Sequence, residues 1–298
     1  MKSIIARVQR DQKVIVCHYV WMGNHAHIII LSRDSEQCCR FYGEIQKQLT
    51  EAIKKLLGLP HLNLWKKNSA SLVLYGDVES LMTRIAYLYA NPARAHLVDK
   101  ITQYPGLSSI RGFKKSPNTI EAKYTELVSW IRNPYIPRIS IPTPNFTQDI
   151  ALANKLNKHA KRSHLLILQP NAWMKSFGLG DEVVEDINEH ILARIENFES
   201  NARADRIRRG FRPMGAKRLE AQPIDLAYMS KSQGRRIFVY ASDKNIRMRM
   251  IQSYKEFCRI CDECYQRWKL GDYTIEWPPG AFKPPIPPQV NCFRCDPI

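Results

Sequence analysis

Long apolar runs are missing: no stretch approaches the ~18 consecutive apolar residues of a membrane helix, which sets aside a spanning segment. The N-terminus does not read as a signal peptide, because Lys2 is followed by only a short apolar run before Arg7 and Arg10. No internal repeat is present, which sets aside repeat architectures. Acidic residues are scarce, 28 Asp and Glu against 45 Lys and Arg, a net charge of +17 with an isoelectric point near 9.6. Such an excess favours a polyanionic partner, nucleic acid being the commonest. It is spread along the chain, with +9 in residues 1–118 and +8 in the remainder, so both halves are able to meet a phosphate backbone.

What is present is enough to fold. Apolar residues make up 44% of the 298, sufficient for a sizeable core and against wholesale disorder. Eight cysteines without an export signal imply a reducing cytoplasm, with Cys17, Cys38 and Cys39 expected as buried thiols.

Along the chain, VIVCHYVW and HAHIIIL (within 14–31) are rich in β-branched and aromatic residues and flank Met22-Gly23-Asn24, reading as two strands around a turn. Residues 36–57 read as an amphipathic helix, with Phe41, Ile45, Leu49, Ile53 and Leu56 at three- and four-residue spacing. A strand is expected over 71–75. Asp77 then caps a helix from Val78 to about Asn91, where Pro92 is expected to end or kink it. Five prolines from Pro117 to Pro144 mark 116–148 as a linker, followed by a mostly helical region, 149–298. Helices are expected over 181–206 and 243–268, with a short strand at 236–241.

His25 and His27 stand two apart on the second strand. Side chains alternate across a strand, so both imidazoles face one way, ~7 Å apart at the backbone, and can converge on one divalent cation. An H-x-H pair is as readily two ordinary solvent-facing histidines. Tyr87 and Asn91, four apart near a helix end, share a face. Asn91 offers an oxygen that suits Mg²⁺ or Mn²⁺. A phenol is a weak nucleophile and needs help, which a cation polarising a phosphate supplies. Alone, Tyr87 reads as a core aromatic.

Together the two segments are more specific. GNHAHIII resembles the histidine strand of REP-associated and insertion-sequence single-tyrosine transposases, the HUH endonucleases, and RIAYLYANPARAHLV resembles their tyrosine helix. Trp65-Lys66-Lys67, SLVLYGD and YPGLSSIRGF match in order between and after them, so the likeness covers about residues 14–113. The resemblance implies an α+β, ferredoxin-like HUH domain over 1–115, an antiparallel sheet with helices on one face. It implies a metal-dependent enzyme that cuts and rejoins single-stranded DNA near a hairpin, as a monomer or homodimer in the bacterial cytoplasm at the nucleoid. By carry-over, His25, His27 and Asn91 hold Mg²⁺ or Mn²⁺, and Tyr87 forms a 5′-phosphotyrosine. Tyr89, the rival nucleophile, is expected to point away from the face of Asn91. Two departures stand out: the family's first strand, with the helix before Val14, is expected to be absent or minimal, and Ala26 replaces a bulkier residue. Loss of that strand makes a DNA-binding protein without cleavage the alternative. Another kind of H-x-H hydrolase would need further His or carboxylates nearby, and residues 20–32 and their neighbourhood add only His18.

Lys66, Lys67 and Arg94 are candidate DNA contacts in the first region. The basic run NARADRIRRGFRPMGAKRLEAQ, with Arg203, Arg206, Arg208, Arg209 and Arg212, reads either as a solvated helix face or as a phosphate-contacting patch. Its surroundings resemble the C-terminal extension of longer REP-associated relatives. FCRICDEC and CFRC offer Cys261, Cys264, Cys292 and Cys295 as ligands of a structural Zn²⁺; against this, the first pair falls on a continuous helix, and free thiols are the competing reading.

Overall fold

The computed structural model describes residues 1–65, 71–131, 146–222 and 238–286. It begins with α1 (Lys2–Gln12), β1 (Ile15–Trp21), β2 (Ala26–Leu31) and α2 (Ser35–Leu56), followed by β3 (Leu74–Tyr75) and α3 (Val78–Arg94). A short β4 (Leu107–Ser108), α4 (Ile110–Lys115) and β5 (Tyr124–Ile131) come next, then α5 (Phe146–Ala160) and β6 (Lys161–Leu168). The C-terminal part holds α6 (Val184–Arg208), α7 (Ala216–Glu220), β7 (Val239–Tyr240) and α8 (Lys244–Lys269).

The main sheet runs β2-β1-β6-β5, with β4 pairing to the end of β1. β1 is antiparallel to β2, β4 lies antiparallel at Val20 and Trp21, and β6 meets β1 parallel at Val16. The expected α+β class holds, but the sheet is mixed rather than antiparallel. Helices also cover both of its faces rather than one. On one side Ile4, Ile5 and Val8 of α1 pack with Phe41, Ile45 and Leu49 of α2 against Val16, Tyr19 and Leu166. On the other, Leu81, Ile85 and Leu88 of α3 and Ile187, Ile191 and Ile195 of α6 pack against Cys17, Val20 and Ile29. Each fully buried aliphatic or aromatic side chain contributes about 1.5–3 kcal/mol. β1 supplies both cores because side chains alternate across a strand, Val16 and Tyr19 to one and Cys17 and Val20 to the other, and a register shift between Val16 and His18 interrupts that alternation once. The bulge puts Cys17 and His18, consecutive in sequence, both on the α3 side.

Three expectations fail for identifiable reasons. The helix before Val14 is present and runs 11 residues, Lys2–Gln12. Its apolar residues fall at helical spacing, and Gln9 ties it to β6 by donating to the Ile167 carbonyl (2.6 Å) and accepting from the Ile167 amide (3.2 Å). The segment expected as linker contains β5, and the region expected as mostly helical contains β6. These two strands pair along their whole length, Tyr124 with Leu168 through Ile131 with Lys161, and extend the sheet past residue 115. Residues 132–145, which hold four of the five prolines, lie outside the described residues. Finally, Asn91 stays helical and α3 continues through Pro92 to Arg94. The proline removes one hydrogen bond, a loss that burial of Leu88 through Ala93 against the core offsets. The strand expected over 71–75 is confined to Leu74–Tyr75, and α2 and α8 lie close to their expected bounds.

The C-terminal part braces the back of α3. α6 packs along it, and Arg194 bridges the two by donating to both carboxylate oxygens of Glu79 (2.7 and 2.8 Å). β7 pairs parallel with β3, Leu74 with Val239 and Tyr75 with Tyr240. Asp77 caps α3 through the Ser80 amide (2.7 Å) and also accepts from the amides of Ser242 (2.5 Å) and Asp243 (3.2 Å). One carboxylate thus joins the starts of α3 and α8.

Candidate active site

On β2 the residues of one parity, His27, Ile29 and Leu31, turn toward α3, while Ile28 and Ile30 turn to the opposite core. His25 continues the first series just before the strand. On α3 the positions 84, 87, 91 and 94 follow three- and four-residue steps and make one seam along the helix.

The two elements meet. The His25 and His27 rings lie 5.1 Å apart at 82°, and the His27 and Tyr87 rings 6.2 Å apart at 84°. His25 Nε2 is 3.0 Å from Asn91 Nδ2, and its Nδ1 is 2.7 Å from Asn24 Oδ1. The pair of contacts assigns the tautomer: Nδ1–H donates to Asn24 and Nε2 keeps its lone pair toward Asn91, the orientation an outer hydrogen bond imposes on a ligating imidazole. Burial holds His25 below the usual histidine range. Burial first, then the neighbouring His25 and Arg84, push His27 down to about 4. Both imidazoles are therefore neutral at physiological pH, as metal ligation requires.

Two neutral imidazoles are donors for a first-row divalent ion, and the carboxamide oxygen is the donor that suits Mn²⁺ or Mg²⁺. The oxygen and nitrogen of a carboxamide occupy equivalent positions, so Asn91 can offer its oxygen where its nitrogen now stands. Among the described residues, no group of three or more His, Cys, Asp and Glu is placed to hold a metal ion. The trio here includes an asparagine and falls outside that description.

Tyr87 and Tyr89 have different surroundings. Tyr87 is half-buried beside His27, with the guanidinium carbons of Arg84 and Arg94 4.6 and 4.3 Å from its ring centroid. Tyr89 is fully buried on the other side of the helix. Its hydroxyl sits 2.8 Å from His18 Nδ1 and 2.8 Å from Ser109 Oγ. Burial drives its phenol well above the ordinary tyrosine range and drives His18 down to about 3. His18 Nε2 has no partner in hydrogen-bonding geometry, although the nearby Pro170 carbonyl favours the charged form slightly. His18 thus belongs to the core rather than to the H-x-H pair.

The candidate DNA contacts separate. Arg94 is exposed and lies at Tyr87. Arg206 is not a surface residue: its side chain is 3% exposed and pairs with Asp99, which Arg203 also approaches at 3.6 Å. Its position in a basic run read as surface is corrected by a partner 107 residues away. Arg208 and Arg209 are exposed and pair with Asp205, and Arg212 is exposed. Lys66 and Lys67 lie outside the described residues, as do Cys292 and Cys295. Cys261 and Cys264 sit on the unbroken α8, and the Cys264 thiol faces the Glu276 carbonyl at 3.7 Å. Cys17 is buried as expected, whereas Cys38 and Cys39 are only partly so.

The sequence reading missed Arg84, Tyr75 and Tyr240. Arg84 was findable, since it lies one helical turn before Tyr87. Tyr240 was not, because only the pairing of β7 with β3 brings it there. No described helix is long and apolar enough to cross a membrane. No family model matches the chain, and neither a curated protein nor a solved structure does.

Proposed function

We propose that this chain is a metal-dependent transposase of the single-tyrosine HUH kind, which cleaves and rejoins single-stranded DNA beside a hairpin. The observation that carries the reading is convergence: His27 from β2 and His25 from just before it, and Tyr87 and Asn91 from a helix some 60 residues later, meet in one cluster. The α1-β1-β2-α2 order supports the ferredoxin-like HUH fold as its framework.

In this reading His25, His27 and Asn91 hold Mg²⁺ or Mn²⁺, which when bound polarises the scissile phosphate. The Tyr87 hydroxyl oxygen attacks phosphorus and gives its proton to solvent. A Tyr87–O–P bond forms as the P–O3′ bond breaks, and the departing oxygen takes a proton to become a 3′-hydroxyl. The 5′-phosphotyrosine conserves the phosphodiester, so a 3′-hydroxyl attacking it rejoins DNA without ATP. Exposed Arg94 and Arg212 add phosphate contacts, and the excess of positive charge draws in the polyanion. The enzyme would work at the bacterial nucleoid, in the cytoplasm.

A second reading, DNA binding without cleavage, has its own support: among the described residues no strand pairs with the outer edge of β2, which carries His27. One experiment separates the two. The full chain is mixed with labelled single-stranded hairpin oligonucleotides and Mg²⁺ or Mn²⁺, beside Tyr87→Phe. A denaturant-resistant protein–DNA adduct that needs metal and is absent from Tyr87→Phe is expected. Binding without adduct under either metal would favour the second reading.

A further inference from the structure

Arg84 is a half-buried cation held by aromatic faces. Its guanidinium carbon lies 4.6 Å from the Tyr87 ring centroid and 4.9 Å from that of Tyr240, and the Tyr75 side chain hydrogen-bonds it. Tyr75 and Tyr240 stack on each other, 6.1 Å apart at 11°. Among the described residues neither Arg84 nor Arg94 forms an ion pair, although most other arginines around α3 and α6 do. A guanidinium kept partly out of water without a carboxylate retains its charge for an anion, and its planar fork matches two oxygens of a phosphate. Besides the phenols of Tyr75 and Tyr240, the groups described beside it are the Tyr87 ring and, through Tyr87, the imidazole pair, so an anion bound by Arg84 lies next to Tyr87.

We infer that Arg84 is a catalytic residue of this site that binds the phosphodiester attacked by Tyr87, and that Tyr240, delivered by the C-terminal part, positions it. The inference rests on the reading of Tyr87 as nucleophile. In-line attack adds negative charge to the non-bridging oxygens, so a fixed guanidinium stabilises the transition state more than the bound DNA. Two imidazoles, a carboxamide and two guanidiniums, with no carboxylate partnering either cation, form a site with a net affinity for phosphate. Tyr240 stands about 150 residues from Arg84 and is brought to it by the parallel β3–β7 pair, with the Ser80 hydroxyl of α3 donating to its carbonyl (3.3 Å). The C-terminal part is then a component of the active site and not a separate appendage.

The test measures the adduct-forming rate at saturating hairpin DNA in Mn²⁺ for the full chain, Arg84→Gln, Arg84→Lys, Tyr240→Phe and Tyr240→Leu. Mn²⁺ affinity is measured by calorimetry alongside. Arg84→Gln is expected to slow the reaction about 100-fold and Arg84→Lys about tenfold, with Mn²⁺ affinity within about threefold of wild type. Tyr240→Phe keeps the ring and is expected to stay within about twofold, whereas Tyr240→Leu falls about tenfold; millimolar methylguanidinium restores part of the Arg84→Gln rate but none of the Tyr87→Phe rate. A fall of less than tenfold in Arg84→Gln, or one accompanied by lost Mn²⁺ binding, overturns the role of Arg84. Equal rates for Tyr240→Phe and Tyr240→Leu overturn that of Tyr240. Absence of any adduct from the wild-type chain is a different failure, that of the nucleophile reading itself, and removes the inference with it.

Discussion

Removing Asp99 should cost far more stability than removing its partner Arg206. Arg206 is 3% exposed while the Asp99 side chain is 33% exposed, and the pair joins the segment just after α3 to α6. Asp99→Ala strands a buried guanidinium, whose Nη1 already lacks a partner, and deprives Arg203 of the same carboxylate. Breaking a buried pair from this side costs about 3 kcal/mol, and in a chain of this size lowers the melting temperature by about 5 °C. Arg206→Met removes the buried charge and its unmet donor together, keeps most of the side-chain volume, and leaves Asp99 free to rehydrate beside Arg203. That change is expected to cost about 1 kcal/mol or less. Urea unfolding of both variants and of the double variant gives the two costs and their coupling. Equal costs, or an Asp99→Ala cost below about 1 kcal/mol, would refute the assignment of Arg206 as an internal brace. DNA affinity is expected to change little in Arg206→Met and to fall in Arg212→Ala.

Acid should destabilise the fold through His18. Its folded-state value, about 3, lies below the unfolded one, so the unfolded chain binds the extra proton and stability drops as pH falls below 6.5. Between pH 7 and pH 5 the loss from this group is about 2 kcal/mol, and urea titrations of His18→Asn should lack it; parallel curves would contradict the linkage. Buried Glu199, whose carboxyl is raised by desolvation, acts with the opposite sign: its contribution is present below the ordinary carboxyl value and is lost as pH rises through the raised one. Asp77→Ala should cost about 1–2 kcal/mol by uncapping α3, and should speed amide exchange at Ser242 and Asp243, whose N–H groups it accepts; unchanged exchange there would show that the capping carboxylate does not hold β7 and α8. Tyr89→Phe should cost about 1–3 kcal/mol, because it leaves buried His18 Nδ1 without its partner. It should leave the rate of DNA adduct formation within about twofold, and a larger loss would point to Tyr89 in the chemistry.

The parts of the site that were legible in the sequence are those set by local periodicity. A period of two puts His25 and His27 on one side of a strand, and steps of three and four put Tyr87 and Asn91 on one side of a helix. That the two sides face each other is a tertiary fact, supplied by the packing of α3 on β1 and β2. Pro92 misled because its local preference is real, yet a helix end buried against α6 and the sheet outweighs it. β6 was missed because LLIL is a short apolar run that helix and strand share, and its partner β5 lies across a proline-rich segment. Arg206 was misread because charge density in a run says nothing of a carboxylate a hundred residues earlier. Arg84 sat in view one turn from Tyr87, but its meaning depends on Tyr240.

The measurement closest to the central claim is identification of the residue that carries DNA. The full chain is reacted with a labelled single-stranded hairpin in Mn²⁺, digested, and the nucleotide-bearing peptide sequenced by mass spectrometry, beside Tyr87→Phe and Tyr89→Phe. The account predicts a phosphotyrosine at Tyr87, dependent on metal, retained in Tyr89→Phe and absent from Tyr87→Phe. An adduct that persists in Tyr87→Phe, or a wild-type chain that binds Mn²⁺ and the hairpin yet forms none, would contradict it.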